Sequence, residues 1–180
     1  MNRFLRVTAL LMMVFCMQQS PLFAQRLGVS TNLFGVATLT PNLGLELVTS
    51  PRSTLRLDFD YNPWDLSDNL SFQHERIGLG YRYWFSQSMY GHFVGVSTSY
   101  TAYDIALSKD DKWVGSCADL GISYGYGIVL SDHWNLTPSI GLGVGVNNEK
   151  IANEAHGYSY HQSVIPTVTE FSLTLQYIIK

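Results

Sequence analysis

The chain has 180 residues, enough for one domain with one core. Only 14% are charged and 46% are hydrophobic, whereas soluble chains average about 25% charged, which argues against a surface wholly bathed in water. A net charge of -3 with no run of lysine or arginine excludes a general affinity for nucleic acid.

Met1-Asn2-Arg3-Phe4-Leu5-Arg6 opens the chain on two positive charges. An apolar run follows from Val7 to Met17, and Leu22-Phe23-Ala24 precedes polar Gln25. That order is the layout of a secretory signal peptide, with cleavage expected after Ala24. The run is too short for a membrane-anchoring helix, which needs about 20 apolar residues. A lipid anchor on Cys16 is opposed by bulky Phe15 before it. Residues 25–180 are therefore expected to form the exported domain. Loss of Arg3 and Arg6 leaves 9 basic against 14 acidic residues, a net charge of -5. Cys117 then stands alone, which excludes a disulfide framework or a cysteine-based zinc site within one chain.

No later segment is apolar for long enough to form a membrane helix. If the domain spans a membrane, a closed β-barrel is the structure left to it. Strand-like alternation is the dominant pattern after residue 25. Two short segments come first, from Leu27 to Asn32 and from Asn42 to Val48. Then Leu55, Leu57, Phe59 and Tyr61 alternate with Arg56, Asp58 and Asp60. Ile77, Leu79, Tyr81, Tyr83 and Phe85 alternate with Arg76, Gly78, Gly80, Arg82 and Trp84. Val94, Val96, Tyr100 and Ala102 oppose Gly95, Ser97, Ser99 and Thr101. Leu120, Ile122, Tyr124, Tyr126, Ile128 and Leu130 oppose Asp119, Gly121, Ser123, Gly125 and Gly127. Ile140, Leu142, Val144 and Val146 oppose Ser139, Gly141, Gly143 and Gly145. The last segment sets Phe171, Leu173, Leu175, Tyr177 and Ile179 against Glu170, Ser172, Thr174 and Gln176.

The smaller face is too short of lysine and glutamate to be the wetted surface of a soluble protein. It suits the packed polar interior of a narrow barrel whose bulky apolar face meets lipid. Connections alternate in length. Short turns are expected from Thr49 to Ser53, Ser86 to Gly91 and Ser131 to His133, and long loops from Leu33 to Pro41, Asn62 to Ser71, Ile105 to Trp113 and Asn147 to Pro166. Tyr61, Trp64, Tyr83, Phe85, Tyr90, Tyr103, Trp113 and Trp134 fall near segment ends, as interfacial girdles do. The expected fold is all-β: an eight-stranded up-and-down antiparallel transmembrane β-barrel of the OmpA/OmpX type, with short periplasmic turns, longer outer loops and no helix of useful length.

The stretch Thr31-Asn32-Leu33-Phe34-Gly35-Val36-Ala37-Thr38-Leu39-Thr40-Pro41-Asn42-Leu43-Gly44-Leu45-Glu46 resembles a family of small Bacteroidetes-type outer-membrane β-barrel proteins catalogued as a domain of unknown function. Tyr61-Asn62-Pro63-Trp64, Arg82-Tyr83-Trp84, Gly91-His92-Phe93-Val94-Gly95 and Trp134-Asn135-Leu136 extend the resemblance over nearly all of the exported domain. Gly35-Val36 departs from the family's more frequent Tyr-Asp, and the last long loop lacks the cysteine pair of many members. The resemblance implies location and fold, with no chemistry attached. It also implies a context of surface or fimbrial assembly.

The inward face is expected to carry Glu46, Arg56, Asp58, Asp60, His74, Arg76, Arg82, Asp119 and Glu170. These could line a pore or hold a carboxylate pair for acid–base chemistry. A packed ion-pair network is favoured, because eight strands leave room only for side chains. In the last loop, Glu149, Glu154, His156, Tyr158, Ser159, Tyr160, His161 and Ser163 could be drawn as a hydrolase or metal set, but nothing in their spacing makes them converge. Glu154, His156, Tyr158, Tyr160 and His161 are the candidates for a partner-binding loop. Gly141, Gly143 and Gly145 continue a strand, so they are no phosphate loop; they leave room for large neighbours. Asp110-Asp111-Lys112 reads as a solvated turn.

The expected role is that of a non-enzymatic, porin-like barrel of the outer membrane without cofactor or metal. Its partners would be outer-membrane lipid, the barrel-assembly machinery during insertion and a surface or fimbrial protein. A lipid-modifying or proteolytic enzyme at the loop rim is the alternative, and a small pore a further one.

Overall fold

The computed structural model of the chain describes residues 26–67, 70–106, 112–153 and 157–179. The segment expected to be cleaved, 1–24, lies outside them. β1 (Leu27–Asn32) leads through a five-residue helix, α1 (Leu33–Ala37), into β2 (Asn42–Ser50) and β3 (Ser53–Asn62). The three-residue β4 (Asp65–Ser67) precedes β5 (Leu70–Trp84). Four long strands follow: β6 (Gly91–Ala106), β7 (Lys112–Val129), β8 (Trp134–Asn153) and β9 (Gly157–Ile179). Every pairing is antiparallel. β3 pairs directly with β5, and β1 with β9, so eight strands run up and down around a closed ring while β4 is a side pairing on β5. Among the described residues no helix is long and apolar enough to cross a membrane.

Register carries the alternation from strand to strand. Leu45 lies opposite Leu57, and Leu57 opposite Leu79. Val96 lies opposite Ile122, and Ile122 opposite Leu142. All six side chains point out of the ring and are exposed. The interior is the reverse of a soluble core. Among the described residues the buried apolar side chains are Trp84, Met89, Phe93, Ala106 and Ile178, against eighteen buried polar or charged ones.

The long-loop end differs from expectation. α1 occupies the first connection, started by Asn32, whose side chain accepts a hydrogen bond from the Phe34 N–H (3.2 Å) as a helix cap does. β4 and the start of β5 occupy the second. β6 reaches Ala106 and β7 begins at Lys112, so the third shrinks. The stretch from Asn147 to Pro166 is not a loop: β8 and β9 remain paired up to Asn153 opposite Gly157. Asn147, Asn148, Glu149 and Lys150 are polar on both faces, so no hydrophobic period of two marks this strand. Backbone ladder bonds hold it instead.

Two local features shape the interior. Between Gly141–Glu170 and Leu142–Val168 the register slips by one, leaving Thr169 as the extra residue of a β-bulge. Close approach explains Gly143: a Cβ there would strike the Leu120 carbonyl oxygen and the Gly121 Cα across the ladder. Gly143 thus gives room to the backbone of β7, not to a large side chain as expected. Gly143→Ala is expected to destabilise by about 1–3 kcal/mol through overpacking, whereas Gly80→Ala, whose Cβ would meet only ordinary contacts at 3.7 Å, should change little. Parallel urea titrations of the two variants check the contrast; equal midpoints would contradict it.

Candidate functional site

The ring's interior is layered. At the short-turn end, the Trp84 and Phe93 rings pack with centroids 4.6 Å apart and are 1% and 0% exposed. Gly125 and Gly127 leave the space they occupy, since a Cβ at either would collide with one of these rings. Asn135 Nδ2 donates to the Met89 carbonyl at 2.7 Å, tying the β5–β6 turn under this plug. Phe93 and Met89 are not apparent from sequence, because Phe93 sits on the face otherwise given to Gly and Ser. Its one signal is parity with Gly95.

Above the plug a continuous chain of bonds crosses the ring. Trp84 Nε1 donates to Thr54 Oγ1 (3.0 Å), and Thr54 Oγ1 donates to Glu46 Oε1 (2.6 Å). Glu46 Oε2 accepts from Gln176 Nε2 (2.9 Å) and Arg82 Nη1 (3.3 Å). Arg82 lies over the Phe93 ring, 4.4 Å from its centroid, a cation–π contact. Its Nη2 donates to Glu170 Oε1 at 2.6 Å. Glu170 Oε1 also accepts from Arg56 Nη1 (3.1 Å) and Ser139 Oγ (2.6 Å), and Arg56 Nε donates to Asp58 Oδ1 (2.7 Å). Glu46, Arg56, Asp58, Arg82 and Glu170 therefore form one cluster contributed by β2, β3, β5 and β9.

A second tier lies nearer the long-loop end. Arg76 Nη1 donates to Asp60 Oδ2 (3.1 Å), its Nε to Ser99 Oγ (3.1 Å), and its Nη2 to the Thr169 carbonyl that the bulge turns inward (3.1 Å). Ser99 Oγ donates to Asp119 Oδ2 at 2.6 Å. Asp119 thus joins through a serine and not an ion pair. His74 sits half-buried at the rim, its ring nitrogen 3.1 Å from the Phe72 carbonyl oxygen. Tyr103 is no girdle residue: it is half-buried and donates from its hydroxyl to Asn147 Oδ1 at 2.7 Å, within the raised sheet.

Between the tiers lies a polar cavity of about 220 Å³ lined by Asn42, Arg56, Asp58, Asp60, Arg76 and Ser97, among others. It is smaller than the roughly 300–1,000 Å³ of ligand pockets. Among the described residues no group of three or more His, Cys, Asp or Glu could hold a metal.

The outer candidates do not converge. Glu154 and His156 lie outside the described residues, and Tyr158 is placed only by its backbone pairing with Ala152 in the β8–β9 hairpin. Tyr160 is 75% exposed. It and His161 are neighbours on one strand, so their side chains point to opposite faces. Register sets His161 opposite Glu149 and Ser163 opposite Asn147.

Fold and interior define a class: a closed up-and-down ring of eight antiparallel strands, packed inside with polar and ionised side chains and apolar outside. A family model for proteins of unknown function, DUF3575, matches residues 7–179, and the chain belongs to that family. Comparison with curated proteins and with solved structures returned no match.

Proposed function

We propose that the chain is a non-enzymatic β-barrel protein of the outer membrane, exported by a signal peptide cut after Ala24, and that it works as a structural or surface-interaction protein without a cofactor. The inverted distribution of polarity carries this reading. Leu57, Leu79, Val96, Ile122, Leu142 and Phe171 are between 42% and 72% exposed on the outer wall, while Glu46, Arg56 and Arg82 are buried. So large a belt of exposed apolar side chains needs an apolar surrounding. A transmembrane strand takes about 9–11 residues, and β2 and β3 have 9 and 10. The short turns and the end of the ring where Leu27 pairs with Ile179 then face the periplasm, and the tall β8–β9 hairpin faces outward. Lipid contacts the belt, the barrel-assembly machinery inserts the ring, and a surface or fimbrial protein is the partner for the outer end.

A pore is opposed by the Trp84–Phe93 plug and the ion-pair tier above it. Fractionation tests the main reading. The chain should be recovered in the outer membrane, resist extraction by alkaline carbonate, and migrate differently on gels before and after boiling. Folded chain released from the periplasm without detergent would overturn the proposal.

A further inference from the structure

β9 is the longest strand, with 23 residues, and it outruns its neighbour on one side. β1 pairs with it only from Ile179 to Thr174, ending at Asn32. Beyond that point the side chain of Asn32 replaces a strand for one step, donating to the Phe171 carbonyl (3.3 Å) and accepting from the Leu173 N–H (3.1 Å). The Phe34 ring of α1 stacks on Phe171 at 4.9 Å, closing the foot. From Val168 back to Gly157, β9 is laddered to β8 alone, and among the described residues no strand pairs along its other side.

Such an edge is a template for another extended chain, and proteins usually blunt it with charge, proline or a bulge. Here the bulge at Thr169 and Pro166 blunt only the foot. From Gly157 to Ile165 there is no Lys, Arg, Asp or Glu. Pro166 also fixes the geometry. A proline persists in a strand where its missing N–H faces the edge, and N–H direction alternates along the strand, so the N–H groups of Val164 and Gln162 face the open edge too. Their side chains lie on the outer face with Tyr160. Val164 is 74% exposed and Tyr160 75%.

We infer that the open edge of β9 from Tyr160 to Ile165 receives an extended, uncharged segment of a different protein, which adds a strand to the raised sheet. This rests on the membrane reading above, which places the edge outside the bilayer: about 9–11 residues span it, and the remainder of β9 projects. The chemistry of the edge, main-chain donors and acceptors beside apolar Tyr160 and Val164, recognises a backbone with alternating apolar side chains. A second copy is a poor occupant. Two copies in one bilayer are related by an axis along the membrane normal, so both β9 strands rise the same way with opposite tilts. With barrel tilts of about 35–45° they would cross at roughly 70–90°, far from the roughly 20–25° twist between paired strands. The chain's own N-terminal segment enters the ring at the opposite end, where Leu27 pairs with Ile179.

The test uses the full exported domain in lipid nanodiscs, its insertion verified by heat-dependent gel mobility, so that failure of the membrane reading is seen separately. A phage library of random strand-length peptides is selected on it and compared with Val164→Pro and Gln162→Pro, each of which removes an edge-facing N–H while leaving the β8 ladder intact. Enriched peptides should alternate apolar residues and lose roughly tenfold in affinity on either variant, as expected when one backbone bond is deleted and a ring intrudes. Ser163→Pro, which removes a β8-facing N–H, should instead disrupt the hairpin itself, read as loss of amide-exchange protection in β8. No enrichment over empty nanodiscs, or binding unchanged in both edge variants, overturns the inference. So does a disulfide formed between protomers by Val164→Cys, which would show the edge occupied by a second copy.

Discussion

Glu170→Ala is expected to lower the stability of the folded ring by about 3–5 kcal/mol, the cost of breaking a buried ion pair by removing one partner. Glu170 is the hub of the central tier: its Oε1 takes bonds from Arg82 at 2.6 Å, Ser139 at 2.6 Å and Arg56 at 3.1 Å. Without it, Arg82, whose side chain is 3% exposed, keeps Glu46 at 3.3 Å as its one ion-pair partner, and the interior holds a guanidinium with half its carboxylate partners gone. Arg56 fares better because Asp58 remains at 2.7 Å, so Arg82 should account for most of the loss. Glu170→Gln keeps an acceptor for Ser139 and Arg82 and should fall between the variant and the wild type. Equilibrium urea unfolding in lipid vesicles, followed by tryptophan fluorescence, measures all three. Wild-type stability in the alanine variant would mean that solvent, not Glu170, satisfies Arg82, and would reopen the question of conduction.

The predicted loss depends on the charges being counted together. The tiers hold five carboxylates, Glu46, Asp58, Asp60, Asp119 and Glu170, against three guanidinium groups, Arg56, Arg76 and Arg82. Every guanidinium therefore has a carboxylate partner, while Asp119 is met by Ser99 instead. Each acid accepts at least one bond, which is what makes an interior of this polarity tolerable in a narrow ring.

Strands were legible where one face is bulky and the other small. Register then follows almost without choice, because a slip of one residue would exchange Leu57 with Asp58 across the wall. The same parity places the inward charges, since Arg56, Arg76 and Arg82 share a face with glycines that have no other use on a strand. What could not be read is what parity does not encode. The raised part of β8 and β9 is polar on both faces, so its ladder left no hydrophobic trace and it resembled a loop. The Thr169 bulge changes no residue type; it only turns a carbonyl toward Arg76. Phe93 was concealed because its face is otherwise given to Gly and Ser, whereas Gly125 opposite it makes a socket inside. Tyr103 was misplaced because an aromatic near a strand end suggests an interfacial ring, whereas its hydroxyl in fact bonds Asn147.

Trp84→Ala is expected to be the other costly substitution, at about 3–5 kcal/mol, the range for truncating a buried large aromatic. Trp84 is 1% exposed, packs on Phe93, and sends its only side-chain N–H to Thr54. Truncation removes the ring contact and leaves a void that Gly127 beside it cannot fill, since it has no side chain to move into it. Two variants separate packing from hydrogen bonding. Trp84→Phe keeps most of the ring and loses the bond, which should cost about 1–3 kcal/mol at a buried site; Thr54 still donates to Glu46, so the polar chain above stays joined. Thr54→Val removes both bonds of that hydroxyl, leaving Glu46 with Arg82 and Gln176 alone, and should cost more than Trp84→Phe. Planar bilayer recording on the alanine variant adds a functional reading. Removing the plug alone should leave the ring non-conducting, because the Arg56–Glu170–Arg82 tier still closes the section above it. Steady conductance in Trp84→Ala, absent from the wild type, would identify the aromatic pair as the sole barrier and promote the pore over the structural reading.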